Sequence, residues 1–199
     1  YTEIGSDIMH FEEYPLTETS MQHWLNKILY KPALTCDIEA KSLNVTQAGI
    51  YTVSFAWNEH EGIAFPVDAI PTQKQAVRNM LKDFFEKFTG KLIVHKANYD
   101  IPVCIYNLFQ NEDITDIKNQ LHGLNTLCRN LDDSLLIAYL ATNSCAGNTL
   151  SLKDLAQPFA GNWAVDVSDV TKVDLLTLLR YNLIDCLSTW FVYKKYYPI

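Results

Sequence analysis

The chain is poor in the residues that interrupt or cross-link a fold. Seven glycines and seven prolines in 199 residues, beside 48% hydrophobic residues, exclude a disordered or collagen-like chain and fit one domain with a substantial core. No apolar run reaches the roughly 18 residues that a membrane span needs. The stretch from Tyr1 to Pro15 is polar and acidic, without the basic segment and apolar run of a signal peptide. The five cysteines (Cys36, Cys104, Cys128, Cys145 and Cys186) are odd in number and form no C-x-x-C pair. A zinc site and a disulfide framework are therefore not indicated, and reduced, mostly buried thiols in a cytoplasmic protein are expected. In that setting the sequon Asn44-Val45-Thr46 is accidental. A first residue that is not Met, and a stop at Tyr197-Pro198-Ile199, predict a piece cut from a longer chain.

There is no internal repeat and no low-complexity linker. Residues 19–22 resemble a capping box that opens an amphipathic helix through Trp24, Leu25, Ile28 and Leu29. Residues 32–39 read as a strand with a polar end, and the alternating, β-branched run 50–57 as a second strand. A turn at 58–62 leads to a third strand at 63–67. Thr72 and Gln75 are expected to cap a helix carrying Val77, Met80, Leu81, Phe84, Phe85 and Phe88, with Gly90 ending it as a C′ glycine. A short strand at 92–94 and a helix over 99–109 come next. After them the pattern predicts a strand at 126–131, a helix at 133–140, a helix capped by Ser151 and a final helix over 173–196. This order implies an α/β fold, a mixed sheet covered by helices on both faces.

Four carboxylates stand at the ends of these elements. Asp37 and Glu39 are two apart in a strand and share a face, at the end of an otherwise apolar run where a lone charge is costly. Asp100 falls in the first turn of the helix after 92–94, where the helix dipole favours an anion. Asp185 interrupts the apolar run Leu183-Ile-Asp-Cys-Leu187. In the final helix Leu176, Leu179, Leu183, Cys186 and Trp190 follow helical spacing toward the core. Tyr181 and Asp185, at i and i+4, share a different face, Tyr181 lying about 200° around from Leu183. Hard divalent cations take oxygen ligands. Two of them about 4 Å apart serve phosphodiester hydrolysis, and a tyrosine hydroxyl can orient the attacking water. Taken singly, an Asp-x-Glu or a Tyr-x-x-x-Asp is a common surface pair, and Asp185 alone also reads as the partner of a Lys or Arg. Agreement of all the pieces, in order, is the signal. A carboxylate cluster of this kind also accounts for part of the net charge of −7, which is otherwise unsuited to binding phosphates.

These motifs resemble the tyrosine branch of the DEDD exonuclease superfamily, with its ribonuclease-H-like fold, and in particular the proofreading domain of family A, polymerase-I-type DNA polymerases. Asp37-Ile-Glu39 is similar to the first exonuclease motif, His95-Lys-Ala-Asn-Tyr-Asp100 to the second and Tyr181-Asn-Leu-Ile-Asp185 to the third. The run from Leu43 to Ala56 resembles the turn and second strand of that family. Asp133 to Leu140 and Ser151 to Ala156 resemble its following helices. The resemblance implies two Mg²⁺ or Mn²⁺ ions, one held by Asp37, Glu39 and Asp185, the other touched by Asp37 and supported through water by Asp100. It implies that Tyr181 positions the attacking water and that Leu43 packs on the terminal base, although a core role for Leu43 suits the sequence equally. Lys96 stands where many relatives carry Asn, with Asn98 two residues on, so Lys96 is read as a phosphate contact. Ala40 replaces the usual Thr. Asp133 is read as a helix cap or a support behind the ligands, and His95 is not placed as a catalytic base.

Three functions fit the resemblance. The first is a proofreading 3′→5′ exonuclease acting on the single-stranded 3′ end of DNA, joined to a polymerase domain of the same parent chain, in a bacterial or phage-infected cell and without a membrane partner. The second is an RNA 3′ exonuclease of the ribonuclease D type. The third is a degenerate structural module, which the retention of all four acids disfavours.

Overall fold

The computed structural model describes residues 8–142, 149–164 and 166–197; Cys145 lies outside them. Its centre is a six-stranded mixed sheet in the order β1-β4-β3-β2-β5-β6. The strands are β1 (Phe11–Glu13), β2 (Ala33–Glu39), β3 (Thr52–Ala56), β4 (Glu61–Pro66), β5 (Lys91–Val94) and β6 (Leu131–Asp133). The pairs β2–β3 and β3–β4 are antiparallel, and β1–β4, β2–β5 and β5–β6 are parallel. Helices cover both faces, as the order of elements predicts.

Side-chain size divides the two faces. On one, Leu34, Cys36, Ile38, Val53, Phe55, Ile63 and Phe65 meet Met21, Leu25 and Ile28 of α1 (Glu18–Ile28) and Val77, Leu81, Phe84 and Phe85 of α3 (Lys74–Lys87). The short α2 (Val45–Ala48) follows β2. The other face carries small residues. Ala56 and Ala64 pack on Leu179, Leu183 and Leu187 of α9 (Leu175–Tyr196), while Thr35 and Ser54 donate hydrogen bonds to the α9 carbonyls of Cys186 (2.9 Å) and Asn182 (2.8 Å). A Cβ at Gly62 would lie 2.6 Å from Leu183 Cδ1 and from Phe55 O. Small residues thus let α9 lie close to the sheet, and α9 carries the third motif. Because side chains alternate along β2, Asp37 and Glu39 point to this α9 face.

Several local expectations are corrected. The α1 cap is Thr17, which forms a reciprocal capping box with Ser20, two residues before the box read at 19–22. The start of α3 has no side-chain cap, since it opens after Gln73 rather than at Thr72. Gly90 is not a left-handed C′ residue. The cap is Phe88, and Gly90 is required because a Cβ there would lie 2.6 Å from Lys31 O and 2.8 Å from Pro32 O. The strand expected at 126–131 is instead the end of α5 (Ile117–Leu127), whose apolar residues at 117, 121, 124 and 127 follow helical spacing, and β6 starts at Leu131. Leu176, expected in the core, is 54% exposed, and Leu178 and Leu179 take the buried positions of that turn. The helix expected over 99–109 is α4 (Ala97–Cys104) followed by a π-helical turn, Ile105–Phe109. Then come α6 (Ser134–Thr142), α7 (Leu152–Leu155), capped by Ser151 as expected, and α8 (Gln157–Ala160). Cys36, Cys104 and Cys186 are buried and free, while Cys128 is exposed. Among the described residues no helix is long and apolar enough to cross a membrane.

Candidate active site

Asp37 and Glu39 close β2, and Asp185 meets them from α9. One carboxylate oxygen from each of the three lies within 4.8 Å of the others. At that separation, like charges repel by about 3 kcal/mol per pair at an effective dielectric constant of about 20. This exceeds the roughly 1 kcal/mol of an ordinary hydrogen bond, so the arrangement favours either protons or cations between the groups. Burial pushes the Asp37 carboxyl well above its usual range, and Asp185, Asp100 and Glu39 push it further. Glu39 is pushed up to about 8 by burial and then by Asp185. Asp185 is raised by burial, and Lys153 opposes the rise. Oxygen donors alone, converging and mutually repelling, suit a hard divalent ion of the Mg²⁺ or Mn²⁺ type, and Asp37, Glu39 and Asp185 are the residues that would hold it.

Asp100 reaches the same region from the first turn of α4. It is 9% exposed, and burial followed by Glu39, Asp133 and Asp185 raises its carboxyl well above the usual range. The start of α4 is fixed from outside. Asp133 accepts the backbone N–H groups of Lys96 and Ala97, and also that of Leu135 in α6, each at 2.9 Å. One carboxylate therefore caps two helices, which agrees with the supporting role read for Asp133. Lys96 heads α4 in the left-handed region (φ 69°); its side chain and that of Asn98 are exposed. The Lys96 charge opposes the rise at Asp100.

Tyr181 and Asp185 share one face of α9. The Tyr181 ring packs 5.4 Å from that of Trp163, with Arg180 over the same indole. Beside Glu39 is a cleft of about 250 Å³ lined by Ala40, Leu43, Tyr99, Val167 and Ser168. Leu43 is 90% exposed there, which overturns the core reading of this residue. The Tyr99 hydroxyl donates to Ser42 O at 2.6 Å and ties α4 to the cleft wall. His95 is turned away from the carboxylates: Nδ1 lies 2.8 Å from Ser134 Oγ, and Nε2 lies 3.0 Å from the Leu150 carbonyl. Burial lowers its pKa.

Three residues of the site were not found by the sequence reading. Asn182, fully buried, donates from Nδ2 to Asp37 Oδ2 (2.8 Å) and to Ser54 Oγ (2.9 Å), and its Oδ1 accepts from Thr52 Oγ1 (2.7 Å). A polar residue beside Tyr181 in an apolar helix was the available signal. Lys153 of α7 forms an ion pair and hydrogen bond with Asp185 Oδ1. The sequence left a Lys or Arg partner open for Asp185, but a separation of 32 residues hid which one. Asp166, exposed, adds negative charge near Glu39 and Asp185.

The sequence profile of the family described as 3′–5′ exonuclease matches residues 13–173, a span that includes Asp37, Glu39, Asp100 and Lys153 and stops short of Tyr181 and Asp185. No curated protein matches the chain in sequence. Among solved structures it is similar to NrnC of Brucella melitensis with bound Mg²⁺ (TM-score 0.59, 13% identity, 94% of this chain and 79% of that one). It is also similar to the Nibbler EXO domain of Aedes aegypti (TM-score 0.59, 12% identity, 94% and 87%). A third is RNase D of Escherichia coli, an exoribonuclease involved in structured RNA processing (TM-score 0.59, 13% identity, 92% and 44%). These neighbours share the ribonuclease-H-like fold of DEDD exonucleases. With the profile matching most of its length, the chain belongs to the 3′–5′ exonuclease family.

Proposed function

We propose that the domain removes nucleotides one at a time from the single-stranded 3′ end of DNA, as the proofreading partner of a polymerase domain in the same parent chain. The convergence of Asp37, Glu39 and Asp185 within 4.8 Å, with Tyr181 one helical turn from Asp185, carries this reading. The resemblance of all three motifs to family A polymerase domains supports DNA as the substrate. In this reading Asp37, Glu39 and Asp185 hold one divalent ion, and Asp100, with Asp37, serves a second. Bound there, the ions supply positive charge to the phosphoryl oxygens and make water more acidic. Tyr181, one helical turn before Asp185, orients the attacking water. The terminal nucleotide enters the cleft between Glu39 and Tyr99, with Leu43 against its base, and Lys96 and Asn98 meet the strand at the head of α4. Asn182 holds Asp37 in place through its 2.8 Å hydrogen bond.

The likeness to RNase D favours a second reading, an RNA 3′ exonuclease. The test is the rate of mononucleotide release from 5′-labelled single-stranded DNA and RNA of one sequence in Mg²⁺. DNA is expected to be degraded at least about tenfold faster, within the range a single well-placed contact to the sugar can discriminate. Faster loss of RNA would replace the proofreading reading with the RNA one.

A further inference from the structure

The position of Lys153 has a consequence for metal binding. Its ammonium meets Asp185 directly, and its field also pulls down on the Asp37 and Glu39 carboxyls, so it faces all three acids that converge within 4.8 Å. It is held there by a built arrangement. Ser151 caps α7 by accepting the Asp154 N–H, and the Ser151 hydroxyl donates to Asp154 Oδ2 at 2.6 Å. The Leu150 carbonyl just before the cap lies 3.0 Å from His95 Nε2, which anchors α7 to the end of β5. Leu152 and Leu155 pack with Val192 of α9 and Ala138 of α6. The Lys153 and Asp185 side chains are 18% and 11% exposed, so water screens the pair only weakly.

We infer that the Lys153 ammonium is an internal counter-ion that stands in for the divalent cation, and that metal binding must displace it from Asp185. This rests on the reading of Asp37, Glu39 and Asp185 as metal ligands. An ammonium is a compact point charge on a flexible stem, able to hold carboxylates together and then turn away. A dication among the same oxygens would both compete for Asp185 and repel the ammonium. Lys153 is thus a positioning residue. It keeps the acids converged when no metal is present, at the expense of metal affinity.

The test is Mg²⁺ binding to the whole domain without nucleic acid, by calorimetry at high pH where protons compete least, for wild type, Lys153→Met and Lys153→Arg. Lys153→Met is expected to bind about tenfold more tightly, the size of effect that loss of one competing charge-assisted hydrogen bond allows. Lys153→Arg, which keeps the charge, is expected to stay within about threefold of wild type. Thermal melting gives an independent readout. Lys153→Met should melt lower than wild type in EDTA, and saturating Mg²⁺ should close that gap. A lysine serving only as a structural tie would leave the gap unchanged. Equal or weaker Mg²⁺ binding by Lys153→Met, or a gap that persists in Mg²⁺, overturns the inference. Failure of wild type to bind Mg²⁺ at all would overturn the metal-site reading beneath it as well.

Discussion

Asp133 offers a sharp test of how the scaffold supports the site. Its carboxylate accepts three backbone N–H groups at 2.9 Å, two at the head of α4 and one in the first turn of α6. Replacing it with Ala leaves both helix starts without a side-chain acceptor and removes a negative charge from two helix N-termini. Each lost cap costs about 1 kcal/mol, so about 2 kcal/mol is expected in all. For a chain of this size that lowers the melting temperature by about 4–8 °C. Asp100 sits in the first turn of α4, so the same change should loosen it and reduce Mg²⁺-dependent nuclease activity by about 10- to 100-fold, the usual effect of losing a group that orients a metal ligand. Asp133→Asn keeps one carbonyl oxygen and should recover part of both losses. The assays are thermal unfolding and single-turnover degradation of a 3′ end. A variant that melts within about 1 °C of wild type and degrades the substrate at the wild-type rate would refute the reasoning.

Asn182→Ala removes the hydrogen bond to Asp37 and leaves Thr52 Oγ1 without its acceptor; activity is expected to fall by about 10- to 100-fold with weaker Mg²⁺ binding, checked by kinetics over a Mg²⁺ titration. The raised Glu39 carboxyl sets a pH dependence. Folded and metal-free, it holds a proton up to about pH 8, whereas the unfolded chain loses it near 4.5. The native state therefore binds more protons between these values, and stability falls as pH rises through that window. Melting temperatures in EDTA should drop from about pH 5.5 to about pH 8.5, and saturating Mg²⁺ should flatten the profile. A melting temperature that rises over that window without metal would contradict this.

The elements with strong periodicity were legible from sequence. The strand of Asp37 and Glu39, the two after it and the final helix all lie where alternation and helical spacing place them. The shared face of Asp37 and Glu39 follows from the two-residue repeat of a strand, and that of Tyr181 and Asp185 from the helical repeat. Among the short elements, β5 and the Ser151-capped α7 were legible, but two strands were not. The three-residue strands β1 and β6 exist because an existing sheet edge supplies their partners, Glu61–Ile63 for one and Leu92–Val94 for the other. Gly90 was misread because close backbone approach and left-handed conformation leave the same mark in a sequence. Lys153 and Asn182 could not be assigned because their partners, Asp185 and Asp37, lie 32 and 145 residues away. Only folding brings them together.

The most direct test of the central claim compares wild type with the Asp37→Ala, Glu39→Ala double variant, following release of the 3′-terminal nucleotide from single-stranded DNA in Mg²⁺, in Mn²⁺ and in EDTA. The carboxylate cluster as a metal-dependent exonuclease site predicts mononucleotide release by wild type in either metal, none in EDTA, and loss of at least about a thousandfold in the folded variant. Release that persists in EDTA, or a variant as fast as wild type, would contradict it.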